Sequence, residues 1–356
     1  MMKQWIKAVG TTKKEARHLT YDEAVAAAHA IARGESTEAQ TAAFLTAVRM
    51  KGETDQEVTA FVDVFRKYSL PYASFSDSLN CAGVYGRRQI LPVTLPVGLL
   101  MASVGFAQVL HGNGAFGGGQ GATAGELLQG LGVQTDLAAS DWESVFAAAK
   151  IGYIRTDRMC PALAGIRRFQ EEVGLDTFMG QVERILNPVH SHQMLIGAGQ
   201  RFSVESLVRI LPKVGIKKAI IVQGMEGSED LSIAKTSTIR TISPDTDETA
   251  ILEPSTFGFS GHILESMPPS RQLEALTRLI QGDDSPELCN EREHVIYNAG
   301  LRLYWNEKVS SYEDGFQLAR ELYARKEAWK ALKKWRDLTA AYTPESSRKK
   351  NEAAGA

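Results

Sequence analysis

Residues 1–70 carry apolar side chains at helical spacing between capping signals. Thr20 with Glu23 and Thr54 with Glu57 have the spacing of a capping box, which marks the start of a helix. After the second box, apolar residues recur three and four positions apart along one face. A further helix fits residues 37–50. The pattern predicts three short helices that serve as a scaffold or a dimerisation element.

Beyond residue 70 the pattern changes to apolar runs that alternate with amphipathic helices. A Pro- and Ser-containing linker over 71–78 separates the two parts. The apolar runs at 105–110 and 217–223 predict buried strands, and the alternation over 236–242 predicts a strand that closes the sheet. Helical spacing returns at 268–281, 291–306 and 312–335.

The glycine-rich stretch over 105–133 is a candidate anion-binding loop. A strand-like segment leads into His111-Gly112-Asn113, then into a run of glycines that includes Gly118, and then into an amphipathic helix. Glycine backbones let main-chain N–H groups approach an anion closely, and the start of a helix adds a favourable dipole. We predict a phosphate site here; for the glycine run alone, a connection without a ligand is the alternative.

A second candidate anion loop combines glycines with two arginines. Gly83 and Gly86 precede Arg87 and Arg88, and an apolar helix follows. Arginine is suited to bidentate contacts with phosphate. A surface loop with two solvated arginines explains the pattern equally well.

Paired acids follow the predicted strand at 217–223. Glu229 and Asp230 lie in a glycine turn, where carboxylates at the end of a strand are well placed to hold Mg²⁺ through water. A solvated acidic turn is the alternative. His190 and His192 could point the same way on a strand, but no third ligand is adjacent, so we do not predict a metal there.

Composition and charge narrow the class of protein. The chain has 356 residues, a length that suffices for two domains or for one large domain with an appendage. Of these residues 44% are hydrophobic and 23% are charged, which is an ordinary composition for a globular protein. A net charge of −2 excludes a polycation that coats nucleic acid. Three distant cysteines give neither a disulfide framework nor zinc spacing. Without the pattern of a signal peptide or a membrane span, we expect a cytoplasmic protein with no membrane partner.

Basic residues cluster near the C-terminus. The last predicted helix carries a stripe that consists of Lys326, Lys330, Lys333, Lys334 and, just beyond it, Arg336. Such a helix could contact a polyanion, but more often the stripe is a solvated face over packed aromatic residues. Residues 339–356 are polar and predict a disordered tail.

Taken together, the motifs resemble the anthranilate phosphoribosyltransferase family, which shares its fold with pyrimidine nucleoside phosphorylases. The similarity covers roughly residues 18–336. The matching residues are Leu19-Thr20, Glu23-Ala24, Ile31, Gly34-Glu35, Ala39-Gln40, Ala43-Phe44-Leu45, Lys51-Gly52-Glu53-Thr54, His111-Gly112-Asn113, Leu131-Gly132-Val133, Pro161-Ala162, Gly174, Thr177, Leu186-Asn187-Pro188, Gly224, Gly227, Glu229-Asp230, Phe257-Gly258, Asn298-Ala299, Gly315 and Ala319.

The resemblance implies an α/β fold with a small all-helical domain. That domain would comprise residues 1–70 and a mid-chain contribution from about 165–190. It would pack on an α/β glycosyltransferase-like domain over 71–338, whose central mixed sheet is flanked by helices. The active site would lie in the cleft between the domains, and the chain would form a homodimer through its N-terminal helices.

The resemblance also implies transfer of a ribosyl group from phosphoribosyl pyrophosphate. Asn113 would orient the acceptor and His111 would shape the loop. Arg87 or Arg88 would bind phosphate, and Glu229 and Asp230 would hold Mg²⁺. The remaining residues at phosphate-binding positions would be Gly83, Gly86, Thr94, Gly112 and Gly118.

Several positions depart from the family's substrate motifs. The Asp of the family's first glycine loop is missing, and the metal pair has its order reversed. Other departures are Pro92, Leu95, Leu110, Gly114, Gly117-Gly118, Cys160 and Gln170. Each lost charged contact removes roughly 1.5–3 kcal/mol of phosphate binding. We therefore expect a diverged pentosyl or phosphoribosyl transferase with an altered substrate, bound to a phosphorylated ribose or another anionic small molecule.

The alternative is a non-catalytic homodimer on the same fold that binds DNA or RNA without sequence preference. A diverged branch of the family has these properties. The basic C-terminal helix and six other residues could supply the groove, namely Arg87, Arg88, Arg167, Arg168, Lys217 and Lys218.

Overall fold

The computed structural model of the chain describes residues 2–12, 15–81, 87–112, 121–199 and 202–342. It begins with a helical bundle that is formed by α1 Met2–Gly10, α2 Tyr21–Ala32, α3 Glu38–Lys51 and α4 Asp55–Lys67. Complete capping boxes at Thr20, Thr37 and Thr54 start α2, α3 and α4. Each box satisfies backbone N–H groups that would otherwise lack partners.

The remainder is an α/β unit around a seven-stranded sheet in the order β5-β3-β1-β6-β7-β8-β9. Pairing is parallel from β5 to β7 and antiparallel for β8 and β9. The strands are β1 Leu79–Cys81, β3 Gln108–Gly112, β5 Ile151–Arg155, β6 Gln193–Gly197, β7 Lys218–Val222, β8 Ser237–Ile242 and β9 Asp247–Leu252. A separate antiparallel pair joins β2 Arg87–Arg88 to β4 Ala122–Thr123.

Helices flank this sheet. They are α5 Thr94–Ser103, α6 Ala124–Gly130, α7 Ala139–Ala149, α8 Thr156–Met159, α9 Pro161–Val173, α10 Met179–Arg184, α11 Val204–Ile210, α12 Pro269–Ile280, α13 Cys289–Trp305, α14 Tyr312–Ala324 and α15 Glu327–Ala340. Single 3₁₀ turns occur at Met225–Gly227, Pro254–Phe257 and Pro286–Leu288. In the described part of the chain, no helix is long and apolar enough to cross a membrane.

The predicted fold class is confirmed, with three corrections. Helix α1 Met2–Gly10 precedes the three helices predicted for residues 1–70. The expected helix over 312–335 is two helices, because Lys326 adopts a left-handed conformation with φ 57° between α14 and α15. The sheet closes with β9 rather than β8. Five of the six residues of β9 are exposed, so that strand has no apolar alternation for a pattern to detect.

Mid-chain helices pack against the N-terminal bundle. The Phe61 ring lies 4.8 Å from the Phe178 ring, edge to face. Arg66 on α4 donates to the carbonyls of Ile185, Leu186 and Val214. The expected contribution of residues near 165–190 to the helical part agrees with these contacts, while the domain boundaries stay predictions. Residues 343–356, most of the predicted tail, lie outside the described residues.

The order of the strands places a crevice beside β1. The chain runs outward from β1 through β3 to β5 and then returns to β6 on the other side of β1. The connections that follow β1 and β6 therefore lead to opposite sides. In open α/β sheets, ligands bind outside the carboxyl ends of the strands at such a switch point.

Candidate functional site

The acidic turn after β7 folds over the end of β6. Its backbone lies so close that a side chain on Gly197 would place Cβ 2.1 Å from the Ser228 carbonyl oxygen. Arg184 ties the two segments together, because its Nη2 donates to the carbonyls of Gly197 at 2.7 Å and Gly227 at 3.1 Å. Glycine at position 197 therefore lets the turn reach the switch point.

The acid pair in this turn points into the protein. Glu229 is 1% exposed and Asp230 is fully buried. The Thr94 hydroxyl, at the start of α5, donates to Glu229 Oε1 at 2.7 Å. It accepts in turn from Arg302 Nη2 at 2.9 Å. Thr94, which we predicted as a phosphate ligand, is thus engaged with Glu229 in this structure.

Two arginines compensate the charge of the pair. Arg302 Nη2 lies 3.5 Å from Asp230 Oδ1 and 3.9 Å from Glu229 Oε1. Arg88 Nη1 lies 3.6 Å from Asp230 Oδ2. Burial, and then the charge of Glu229, raise the pKa of Asp230 above its usual range, although both arginines oppose the shift.

One face of α13 binds the segment that carries the acids. Asn298 accepts from the Leu231 N–H and donates to the Leu231 carbonyl, each at 2.8 Å. His294 Nε2 accepts from the Ile233 N–H at 3.3 Å. Arg302 continues this face and is the largest fully buried side chain in the described chain. The sequence reasoning missed Arg302, although polar residues at i, i+4 and i+8 in a buried helix were a usable signal.

The described residues do not fit a Mg²⁺ ion bound directly by the acid pair. Both carboxylates are closed to solvent and already face two guanidinium groups. Among the residues that the structure describes, no group of three His, Cys, Asp or Glu side chains could hold a metal. Mg²⁺ demands octahedral oxygen coordination and usually retains several waters, which this buried pair does not offer.

Arg88 and Arg87 both form ion pairs. Arg88 is 3% exposed, and its Nε donates to Glu226 at 2.6 Å. Glu226 lies at the tip of the acidic turn in a left-handed conformation with φ 52°. Arg87 is exposed and forms two 3.0 Å hydrogen bonds to Glu126. Of the two predicted phosphate ligands, Arg88 is the one that contacts the acidic turn.

His111 is a buried, neutral residue on β3. Its Nε2 donates to Asn80 Oδ1 at 3.0 Å, a tautomer that we assign because a carbonyl oxygen can only accept. Asn80 Nδ2 donates in turn to Asn187 at 3.1 Å. Burial, followed by the charge of Arg184, lowers the pKa of His111 to about 4. His111 therefore anchors the strand that enters the glycine-rich loop, and Gly112 ends that strand.

The other predicted loop residues, Gly83, Gly86, Asn113 and Gly118, lie outside the described residues. Their flanking strands are described. Residues 82–86 follow β1 and residues 113–120 follow β3, and these strands are parallel neighbours. The described strands β1 and β3 therefore end at the same edge of the sheet as β6, where the acidic turn lies.

The cations that we predicted for a nucleic-acid groove are mostly ion-paired. Arg167 pairs with Glu183 at 3.4 Å, and Lys218 with Glu307 at 3.0 Å. Arg168 pairs with Glu172 within α9. On α15, Lys330 pairs with Glu327, Lys333 lies over the Trp329 ring and Trp335 is buried. This agrees with the interpretation of α15 as a solvated face over packed aromatic residues.

Comparison with known families agrees with this architecture. Residues 82–328 match the model of the glycosyl transferase family a/b domain, and residues 3–69 match that family's helical bundle domain. The chain belongs to this glycosyl transferase family. The resemblance to anthranilate phosphoribosyltransferases is thereby confirmed at the level of family and fold.

Individual relatives support the same assignment. The chain is 28% identical to anthranilate phosphoribosyltransferase of Streptococcus pneumoniae, over 85% of this chain and 90% of the relative. Among solved structures, anthranilate phosphoribosyltransferase from Thermus thermophilus has a TM-score of 0.80 at 21% identity, covering 95% of this chain and 99% of that chain. The Saccharomyces cerevisiae enzyme in complex with PRPP and Mg has a TM-score of 0.79 at 16% identity, covering 96% and 98%. The two structural likenesses show the fold.

Proposed function

We propose that the chain is a phosphoribosyl transferase that takes phosphoribosyl pyrophosphate as donor and an acceptor other than anthranilate. One observation carries the proposal. The described strands β1, β3 and β6 end at the switch point of the sheet beside the acidic turn, and the two glycine-rich segments of the sequence directly follow β1 and β3 along the chain. A donor with five-carbon sugar and phosphate groups suits backbone N–H groups at such an edge.

The residues would act on the donor by position and charge. Loop residues Gly83, Gly86, Gly112 and Gly118 would donate backbone N–H groups to the phosphates. Arg88 would add a cation once Glu226 moves aside, and Arg87 would add a second from the rim. These groups would stabilise the charge that develops on pyrophosphate as it leaves.

Transfer breaks the bond between ribose C1′ and the pyrophosphate oxygen, and both electrons leave with pyrophosphate. A lone pair on the acceptor forms the new bond to C1′, and the acceptor's proton is released to water. Asn113 would orient the acceptor in line with the departing group. His111 would hold its strand through Asn80 rather than exchange protons, because its Nε2–H is donated to Asn80 and burial lowers its pKa to about 4, which makes the imidazole a weak base.

The position expected to bind the anthranilate carboxylate offers no cation in this chain. Gln170 stands there, and its Nε2 donates to the Thr177 hydroxyl at 2.6 Å inside the helical part. The neighbouring Arg167 is paired with Glu183. Cys160, at the position where the family has a histidine, is buried and its pKa is raised by burial. These contacts support an acceptor without a carboxylate at that position.

A turnover assay tests the choice of acceptor. Pyrophosphate release would be measured with phosphoribosyl pyrophosphate and anthranilate, and then with a panel of amines and nucleobases. We expect release with at least one of the panel and none above background with anthranilate. Turnover of anthranilate at a rate typical of an enzyme would contradict the proposal that the acceptor has changed. It would not contradict the proposal that the chain is a phosphoribosyl transferase.

Two further expectations from the sequence remain open to direct measurement. We infer a homodimer through α1–α4 from the family resemblance, and sedimentation equilibrium at micromolar concentration tests it.

The nucleic-acid alternative gains no support from the described residues, since most of its proposed cations are paired. A gel shift with unrelated DNA sequences at low salt would revive that alternative only if it showed binding with a steep salt dependence.

A further inference from the structure

We propose that the acid pair Glu229–Asp230 of this chain does not bind Mg²⁺, and that the guanidinium of Arg302, helped by Arg88, compensates the carboxylates in its place. The inference stands on the contacts of the acid pair and does not depend on the proposed transferase activity. If the proposal holds, an anionic ligand at this site would be bound by protein cations and backbone N–H groups instead of by a metal ion on the acid pair.

Positive charge already surrounds the acid pair. Arg302 contacts both acids and also Thr94, the residue that donates to Glu229. Arg88 reaches the other oxygen of Asp230. Two carboxylates thus meet two guanidinium groups inside the protein. Like charges within a few ångströms repel strongly at low dielectric, so a divalent cation would be repelled by both arginines.

The acid pair also offers too few oxygen ligands for Mg²⁺. One oxygen of each acid is already contacted by Thr94 or Arg302. The remaining two are Glu229 Oε2 and Asp230 Oδ2, both buried, and the latter lies 3.6 Å from Arg88. Two partly compensated oxygens supply few of the six ligands that Mg²⁺ takes, and burial keeps out the waters that would supply the others.

Arg302 is held in place by its own hydrogen bonds and by those of its helix. Its Nη1 donates to the Gln108 side-chain oxygen on β3 at 3.3 Å, and its Nη2 donates to the Thr94 hydroxyl at 2.9 Å. One turn earlier on α13, Asn298 binds both backbone groups of Leu231, directly after the acids. These hydrogen bonds fix α13 relative to the segment that carries the acids. The Arg302 side chain therefore stays beside Glu229 and Asp230.

Mn²⁺ is a suitable probe, because its electron paramagnetic resonance signal reports free and bound ion without any enzyme assay. We would titrate the full chain, free of substrate, and compare wild type with Arg302→Met and Arg302→Lys. Arg302→Met removes the charge but keeps a long side chain, whereas Arg302→Lys keeps the charge and serves as the matched control.

We expect wild type and Arg302→Lys to leave Mn²⁺ free at millimolar concentration. Arg302→Met should bind Mn²⁺ at least about tenfold more tightly, because one positive charge beside the carboxylates is gone. Adding Asp230→Asn to Arg302→Met should abolish that gain. Binding by Arg302→Met no tighter than by wild type would overturn the proposal.

If Arg302→Met fails to fold, wild type and Asp230→Asn still test the proposal. Titration of wild type and Asp230→Asn would then be compared. Binding of one Mn²⁺ by wild type that Asp230→Asn loses would overturn the proposal, and its absence from both would support it. Neither result bears on whether phosphoribosyl pyrophosphate binds, which is measured separately.

Discussion

Glu226 and Arg88 form a 2.6 Å ion pair that joins residues 138 positions apart and ties the acidic turn to β2. The same carboxylate accepts from the Gln89 N–H at 3.2 Å. Arg88 is the more buried of the two arginines that the sequence assigns to phosphate. Glu226 thus occupies the guanidinium of Arg88, which we propose as a ligand of the donor's phosphate groups.

Removing that carboxylate should favour anion binding. We expect Glu226→Gln to bind phosphoribosyl pyrophosphate roughly tenfold more tightly, since about 1.4 kcal/mol of competition for Arg88 is lost. Calorimetric titration of both chains measures the ratio. Asp247→Asn, which breaks an exposed pair with Arg240 on β8, is the control and should change nothing. Weaker binding by Glu226→Gln would show that the ion pair supports the site instead of competing with it.

Arg302→Met should destabilise the fold as well as change its metal affinity. Removing one partner of a buried ion pair leaves an uncompensated charge and typically costs about 3–5 kcal/mol. Urea denaturation measures the free energy of unfolding. Adding Asp230→Asn should restore part of the loss, because that change removes one of the two carboxylates that Arg88 alone would otherwise have to compensate. If the double variant is less stable than Arg302→Met, the charge argument is wrong.

Gly197→Ala tests how closely the acidic turn lies on β6. The new Cβ would lie 2.1 Å from the backbone oxygen of Ser228, so the turn must move. We expect a loss of about 1–3 kcal/mol in unfolding free energy, together with weaker binding of the donor. Gly165→Ala on α9 is the matched control: its Cβ would meet no atom within 4 Å, and alanine should stabilise this helix slightly. Equal effects at the two positions would contradict the close approach.

The buried His111 should make stability depend on pH. Its pKa in the folded chain is about 4, below the value of 6.5 expected when unfolded. The unfolded chain therefore binds the proton first, and stability falls as the pH drops from about 6.5 toward 4. Between about pH 7 and pH 5 we expect His111 to account for roughly 2 kcal/mol of lost stability. The difference in unfolding free energy between wild type and His111→Asn isolates this contribution; a difference that does not vary with pH would exclude a neutral buried imidazole.

Much of the fold follows from local sequence signals. Thr20, Thr37 and Thr54 each begin a helix, and capping is decided by residues three positions apart. The apolar run at 217–223 became β7 because a parallel strand buried on both faces needs continuous apolar residues. Strand β9 was missed for the opposite reason, since five of its residues face solvent.

The site was only partly predictable. The sequence predicted Glu229 and Asp230 in a turn after a strand, and the structure places them after β7. Arg88, predicted in a loop, lies on β2, and His111, predicted just beyond a strand, lies on β3. The roles of these residues stay predictions. The sequence could not show that the acids point inward, because that depends on Arg302, 72 positions from Asp230. The partners of Arg88 are likewise set by long-range packing. Local patterns carry little information about such pairs, which only the three-dimensional fold brings together.

Calorimetric titration of the full chain with phosphoribosyl pyrophosphate, with and without Mg²⁺, tests the central claim most directly. We predict binding of one donor per chain, weakened by Arg88→Gln and unchanged by Arg240→Gln, which breaks an exposed ion pair on β8. The absence of any binding heat at millimolar donor in both conditions, from a folded chain, would contradict the account.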